Sequence, residues 1–87
     1  MSILAPQDIE ARVLRCLVEA TGTEEIVSNP DLRLFETGLL DSVTTVTLII
    51  ALAGEFDLEI SPLDFDRRTW ATPARIVSDV RRRLIAG

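Results

Sequence analysis

Histidine is absent from the chain, and cysteine occurs once, as Cys16. Without histidine the chain lacks the usual general base near neutral pH and the commonest metal ligand. A single cysteine excludes an intrachain disulfide, and without histidine it cannot form a cysteine–histidine nucleophile pair. Cys16 lies among Val13, Leu17 and Ala20 at helical spacing, which predicts a small buried apolar side chain. The composition therefore argues against an enzyme and against a metal site.

Long hydrophobic runs are missing as well. The longest covers residues 48–53, far short of the ~20 apolar residues that span a bilayer. The N-terminus has neither the basic patch nor the long apolar stretch of a signal peptide. We therefore expect a cytoplasmic protein that does not span a membrane.

The chain has 87 residues, 47% of them hydrophobic, and we expect one domain over residues 1–87. A chain of this length buries roughly 60–65% of its unfolded surface, which permits one modest core and no deep substrate cavity. Its hydrophobic content argues against disorder. Nothing in the sequence requires more than a monomer.

Charge is unevenly distributed along the chain. Residues 1–66 contain thirteen acids and three arginines, residues 67–87 contain six arginines and one acid, and the whole chain carries −5. The acidic balance disfavours binding to a nucleic-acid backbone, so a DNA-binding domain that uses the basic end is a weak alternative. Arg81, Arg82 and Arg83 fall at the end of the last predicted helix. There they complement the helix dipole, and we expect them to be solvated.

The apolar pattern predicts a first helix over residues 6–21. Pro6 suits a first helical position, and Gly22 supplies a left-handed stop. Residues 23–40 then form a long connection, with a short turn expected around residues 31–36. Such a length indicates a functional loop in a compact domain. We expect the loop to lie pinned across the helices by six apolar side chains: Ile26, Leu32, Leu34, Phe35, Leu39 and Leu40.

A second helix is predicted to begin at Asp41 or Ser42, which are both good N-cap residues, and to end near Phe56. Gly54 weakens its interior by about 1 kcal/mol, which points to close packing or early fraying at that position. The helix has two apolar faces. The face expected in the core comprises Thr45, Leu48, Leu52 and Phe56. The face expected to be covered by the loop or exposed for a partner comprises Val43, Val46, Ile50 and Ala53.

The remainder of the chain predicts one short and one long helix. A proline follows a potential capping residue at two positions. The first is Ser61, where we expect a helical turn through Phe65. The second is Thr72, where we expect a last helix that runs to about Leu84. Trp70 and Phe65 are expected in the core or against the loop. Residues 57–60 are too few for a strand. The sum is an all-α bundle of four helices, three longer and one short, with a long first loop.

Ser42 stands at the predicted start of the second helix. The first backbone N–H groups of a helix are unpaired and that end is positive, so a phosphate attached there is stabilised. Helix ends also project toward solvent, which leaves such a serine open to enzymatic modification. The alternative is that Asp41 and Ser42 only cap the helix, which is a common arrangement.

A resemblance to a known family bears on this choice. The sequence around Ser42 resembles the attachment motif of acyl and peptidyl carrier proteins in the residues Gly38-Leu39-Leu40-Asp41-Ser42, Thr45-Val46, Leu48, Ala51-Leu52 and Glu55-Phe56. The resemblance implies a non-catalytic bundle of acyl-carrier-protein type in which Ser42 receives 4′-phosphopantetheine from coenzyme A. It implies that a phosphopantetheinyl transferase with a magnesium ion makes the attachment. Asp41 is then the matching acidic neighbour, which helps that enzyme recognise the site.

A second set of residues resembles the D-alanyl carrier proteins: Asn29-Pro30-Asp31-Leu32, Leu34-Phe35, Phe65-Asp66-Arg67, Trp70, Thr72-Pro73 and Ile76. This resemblance implies an amino acid cargo such as D-alanine, held as a thioester. It also implies an adenylating ligase that loads the cargo and a downstream acceptor or transferase that takes it for modification of cell-envelope polymers. Two alternatives stay open: a carrier for another acyl group in lipid or polyketide synthesis, and an unmodified helical protein–protein interaction module.

The second helix departs from the pattern of fatty-acid carrier proteins, which bear several acids there. Uncharged residues stand at the corresponding positions, namely Thr44, Thr47, Ala53 and Gly54. Partner recognition at this helix is therefore expected to depend on Val43, Val46 and Ile50 rather than on charge. This departure argues against a role in fatty-acid synthesis.

Overall fold

A computed structural model describes residues 6–60 and 68–86 of the chain. It contains four helices: α1 (Pro6–Thr21), α2 (Glu25–Ser28), α3 (Ser42–Phe56) and α4 (Pro73–Ala86). No strand occurs within these two ranges. The all-α prediction is therefore confirmed, as are the three longer helices.

Helix α1 is the scaffold on which the other helices pack. Its bounds agree with the prediction, and Gly22 ends it with a φ of 76° while its N–H donates to the carbonyl of Val18 at 2.8 Å. The inner face of α1 packs against α2, α3 and α4. Cys16 lies on that face and is 3% exposed, which confirms the prediction of a buried thiol. Among the described helices, α1 alone contacts each of the others extensively.

The long connection between α1 and α3 contains α2, which the sequence did not predict. A helix of four residues is too short to show an apolar period, and its one core side chain, Ile26, is equally expected of a loop pinned to the core. The loop is nevertheless pinned as expected. Leu34 donates its N–H to the carbonyl of Ala71 at 2.9 Å, and Leu40 donates to the carbonyl of Leu34 at 3.0 Å. Both leucine side chains are buried.

Helix α3 begins and ends where the sequence placed it, at Ser42 and Phe56. Its buried residues are Thr45, Leu48, Ile49, Leu52 and Phe56, so the predicted core face is correct, with Ile49 added. The two interpretations of Gly54 are wrong. A Cβ placed there would meet nothing within 4 Å, and the helix continues to Phe56.

Helix α4 begins at Pro73, as predicted, and ends at Ala86, two residues beyond the predicted end. Trp70 lies just before the helix and is 1% exposed, which confirms it as a core aromatic. The helical turn predicted from Ser61 through Phe65 lies outside the described residues. The short helix seen in the described part of the chain is α2 instead.

A buried carboxylate, Asp79, joins α4 to the segment that precedes it. Its side chain is 1% exposed, and it accepts hydrogen bonds from Trp70 Nε1 at 2.9 Å, from Arg83 Nε at 2.9 Å and from the guanidinium of Arg82. Burial acts to raise the pKa of Asp79, but these donors outweigh it and hold the pKa below its usual range. The prediction of solvated arginines holds for Arg82, which is 72% exposed, but not for Arg83, which is 25% exposed; both also turn back onto Asp79.

Candidate functional site

The N-terminus of α3 is capped by Asp41. Its carboxylate accepts the N–H groups of Val43 and Thr44, each at 2.9 Å. The Thr44 hydroxyl in turn accepts the N–H of Asp41 at 2.7 Å and donates to its carboxylate at 2.9 Å, which completes a capping box. The backbone and side-chain hydrogen bonds from Thr44, followed by that from Val43, lower the pKa of Asp41. This end of α3 is thus fixed by side chains other than Ser42.

Ser42 is the first helical residue and is exposed. Within the part of the chain that the structure describes, its hydroxyl makes no hydrogen bond. Of the two residues expected to cap the helix in the alternative interpretation, Asp41 does so and Ser42 does not. Ser42 therefore has a helical backbone and a hydroxyl that forms no hydrogen bond within the described fold.

The cap also changes the expectation about a phosphate at this helix end. The amides of Val43 and Thr44, which we expected to be unpaired, are occupied by Asp41. A phosphate on Ser42 would keep the favourable direction of the helix dipole, but it would lie beside the Asp41 carboxylate rather than on open amides. The position therefore leaves the Ser42 hydroxyl open to a modifying enzyme but does not bind a phosphate tightly.

The loop before Asp41 sets the position of the cap. Gly38 adopts a left-handed φ of 79°, which glycine tolerates without strain, and its N–H donates to the carbonyl of Phe35 at 3.2 Å. Leu40, next to Asp41, is 2% exposed and anchors the chain in the core. The glycine bend and the leucine anchor together present residues 41 and 42 at the surface.

An apolar strip runs along α3 from the serine. Val43, Val46 and Ile50 are 73%, 44% and 67% exposed, and their spacing of three and four residues keeps them on one side of the helix. We call these three residues the α3 strip. The question of whether the loop covers this face is settled, because all three side chains are open to solvent. The structure thus brings together Asp41, Ser42 and the strip.

Sequence reasoning missed the part that Thr44 plays in this site. In the sequence, Thr44 stands out only as an uncharged residue at a position where fatty-acid carrier proteins have an acid. In the structure, its hydroxyl closes the capping box. The signal was present, since a polar residue three positions after an N-cap aspartate is typical of that motif.

Other kinds of site find little support in the described residues. No group of three or more histidine, cysteine, aspartate or glutamate residues in residues 6–60 and 68–86 could hold a metal ion. Burial, followed by the charges of Glu55 and Glu19, raises the pKa of the Cys16 thiol, which keeps it protonated. None of the described helices is long and apolar enough to cross a membrane.

Comparison with known proteins gives one family and a consistent set of relatives. The family model described as a phosphopantetheine attachment site matches residues 11–80. A D-alanyl carrier protein of Enterococcus faecalis is 44% identical over 73 residues, which are 84% of this chain and 94% of the relative. One from Lacticaseibacillus casei is 42% identical over 79 residues, 91% of this chain and 98% of the relative. One from Staphylococcus saprophyticus is 46% identical over 67 residues, 77% and 86% of the two chains.

Proposed function

We propose, from the premise that this chain belongs to the phosphopantetheine attachment-site family and within it to the D-alanyl carrier proteins, that Ser42 is its attachment residue. The chain is a carrier protein, and covalently attached 4′-phosphopantetheine is its cofactor. When attached, this group supplies a flexible arm that ends in a thiol and holds the cargo as a thioester. The residues at the start of α3 then have to present the anchor and keep it accessible.

The observation that carries the proposal is that Asp41 caps α3, which leaves the exposed Ser42 hydroxyl without a structural role. Asp41 satisfies the first amides of α3, so the fold needs no contact from the Ser42 hydroxyl. Ser42 is exposed and can enter the active site of a modifying enzyme. Asp41 keeps a negative charge beside it, since its pKa is lowered by the capping bonds. That charge is a recognition feature for a phosphopantetheinyl transferase.

We propose D-alanine as the cargo, because the relatives with which the chain shares most of its length are named D-alanyl carrier proteins. An adenylating ligase would load it and a downstream transferase would remove it, so the chemistry belongs to the partners. We further propose that residues 1–87 act as one domain and as a monomer. The cytoplasm is the expected location, since coenzyme A and the ATP that an adenylating ligase consumes are available there.

The α3 strip is our candidate for the surface on which the loading enzyme docks. Val43 is next to Ser42, and Ile50 lies eight residues beyond Ser42 along α3, a rise of about 12 Å. Val43 and Ile50 are each more than half exposed although they are aliphatic, and the core does not require them. A partner that covers them gains hydrophobic contact next to the anchor.

Mass spectrometry of the intact chain tests the attachment. After incubation with coenzyme A and a phosphopantetheinyl transferase of broad specificity, the chain should gain one phosphopantetheine. Ser42→Ala should abolish the gain, whereas Ser78→Ala, which removes another exposed serine hydroxyl, should leave it unchanged. If several active transferases leave the wild-type mass unshifted, the chain is better explained as an unmodified interaction module that uses the α3 strip. Loading by an adenylating ligase with a panel of amino and fatty acids then separates D-alanine from other acyl groups.

A further inference from the structure

Gly54 leaves a bare stretch of backbone on α3. It is exposed and lies two residues before the helix ends at Phe56. Glycine lowers the stability of a helix interior relative to alanine, because its backbone loses more freedom on folding. Three explanations for such a glycine can be sought within the chain: an unusual backbone conformation, close packing and a flexible joint.

The backbone conformation and the packing do not explain Gly54. Gly22 and Gly38 have positive φ values, whereas Gly54 is helical, so any residue could adopt its conformation. A Cβ at Gly54 would meet no atom of the described chain within 4 Å. An alanine would therefore fit at this position without strain and without displacing a neighbour.

The helix around Gly54 is braced, which argues against a flexible joint. The next residue, Glu55, accepts a hydrogen bond from Arg15 Nη2 at 2.7 Å, and its other carboxylate oxygen lies 3.3 Å from Arg12 Nη1. Both arginines belong to α1, so this end of α3 is tied to the scaffold helix. The helix also continues beyond the glycine to Phe56. Gly54 thus presents ordered backbone to solvent rather than a hinge.

Gly54 lies on the same outward side of α3 as two residues of the α3 strip. Val43, Thr47, Ile50 and Gly54 follow one another at steps of four, three and four residues, so they share one side of the helix. From Ser42 to Gly54 the helix carries no charged residue. The Thr47 hydroxyl donates to the carbonyl of Val43 at 3.1 Å, which satisfies it within the helix. An uncharged ridge of side chains therefore ends in bare backbone about 18 Å beyond Ser42 along the helix.

We propose that the adenylating ligase packs an apolar side chain on the bare backbone of Gly54, so that the glycine determines which partner can dock. The inference rests on the proposed function, because it assumes that the arm is attached at Ser42. The gap beside Ile50 admits such a side chain, whereas a side chain at position 54 would fill the gap and exclude it. The uncharged ridge requires an uncharged partner surface, since a charge buried against it would lose water without gaining an ionic partner.

The distance of Gly54 from Ser42 favours a partner that acts at the far end of the arm. A phosphopantetheinyl transferase works at the Ser42 hydroxyl itself and needs to cover only the start of α3. The ligase forms the thioester at the other end of the arm, so its active site can stand an arm's length from Ser42 while its surface rests further along the helix. Gly54 has no group that reacts, and it is therefore a positioning residue for loading.

Steady-state loading of the full chain with its arm attached tests the proposal, with D-alanine, ATP and an adenylating ligase that loads the wild type. Gly54→Leu should raise the KM for the carrier by about tenfold and leave kcat unchanged, because the added side chain overfills the contact with the ligase. Gly54→Ala adds only a methyl group and should raise the KM by less. Ala11→Leu enlarges an exposed residue of α1 and should leave the KM within about twofold of the wild type.

Urea unfolding separates docking from folding. Both Gly54 variants should unfold at a higher urea concentration than the wild type, because each replaces a helical glycine, so a weaker fold cannot explain poorer loading. A lower midpoint in Gly54→Ala would mean that the fold itself uses the glycine and would overturn the inference.

The remaining outcomes distinguish the partners. Equal KM values for Gly54→Leu and the wild type would overturn the inference and leave Ser42 as the attachment residue. If Gly54→Leu slows only attachment of the arm, or only removal of the cargo by the downstream transferase, the glycine serves that partner and the ligase assignment is wrong. A wild-type chain that gains no phosphopantetheine in the mass experiment refutes the proposed function instead.

Discussion

Replacing Asp79 by asparagine keeps the size of the side chain and removes its charge at a position that is 1% exposed. The carboxylate accepts three donors, two of which are arginine guanidinium groups. Asparagine can still accept from Trp70 with its one oxygen, but its amide nitrogen must then face an arginine donor. We therefore expect the loss to come mainly from the charged hydrogen bonds.

The size of the effect follows from these contacts. A hydrogen bond to a charged group contributes about 1.5–3 kcal/mol, and breaking a buried ion pair from one side costs about 3–5 kcal/mol. Arg82 is largely exposed and regains water, which places the expected loss near the lower values, at about 2–3 kcal/mol. For a domain of this size that corresponds to a fall in Tm of about 10–20 °C.

Urea unfolding followed by circular dichroism measures this loss. Asp57→Asn is the matched control, because Asp57 is exposed and has a left-handed φ of 55° that asparagine tolerates. The control should change the free energy of unfolding by less than about 0.5 kcal/mol. If Asp79→Asn unfolds at the same urea concentration as the wild type, the buried carboxylate does not hold α4 in place and our reasoning fails.

The same variant has a signature in its pH dependence. The pKa of Asp79 is lowered in the folded state, whereas an aspartate in an unfolded chain titrates near ~3.9. The stabilisation is therefore complete above ~4 and is lost as the pH falls through the lower folded-state pKa. The difference in stability between the wild type and Asp79→Asn should shrink between neutral pH and about pH 3. A difference that grows on acidification would contradict the assignment.

Two further predictions concern α3. Asp41→Ala removes the cap and should lower the midpoint of urea unfolding, whereas Ser42→Ala should lower it by less; an equal loss in both would mean that the two residues share the cap. Val46→Asp or Ile50→Asp should slow loading by the cognate adenylating ligase about tenfold, with helicity by circular dichroism unchanged and only a small response to salt. Wild-type loading rates in both variants would mean that the loading enzyme docks on a surface other than the α3 strip.

Local signals in the sequence predicted the longer helices well because their ends have strong caps. Gly22 and Asp41 determine where α1 ends and α3 begins, and both act through contacts within a few residues. The core face of α3 could be predicted equally well, since apolar spacing depends only on helix geometry. The exposure of Ser42 follows from its position at a helix start.

Tertiary contacts account for what the sequence did not predict. Asp79 stands among apolar residues of α4 and would ordinarily be taken for an exposed acid. Its burial depends on Trp70, nine residues earlier, together with arginines one turn further along the helix. The short helix α2 depends on the burial of one side chain, Ile26, in the core. Neither arrangement produces a periodic pattern, so propensity and spacing alone cannot identify it.

The burial of Cys16 has a consequence for the lifetime of a loaded carrier. Thioesters are attacked by thiolates and by amines, so a carrier must not offer such groups to its own cargo. The one thiol of this chain is 3% exposed and is kept protonated by its raised pKa. The chain also contains no lysine and no histidine. Every basic residue is an arginine, whose guanidinium stays charged and is therefore a poor nucleophile. The side chains of the protein therefore offer the thioester no accessible thiolate, amine or imidazole, so attack by such a group has to come from a partner.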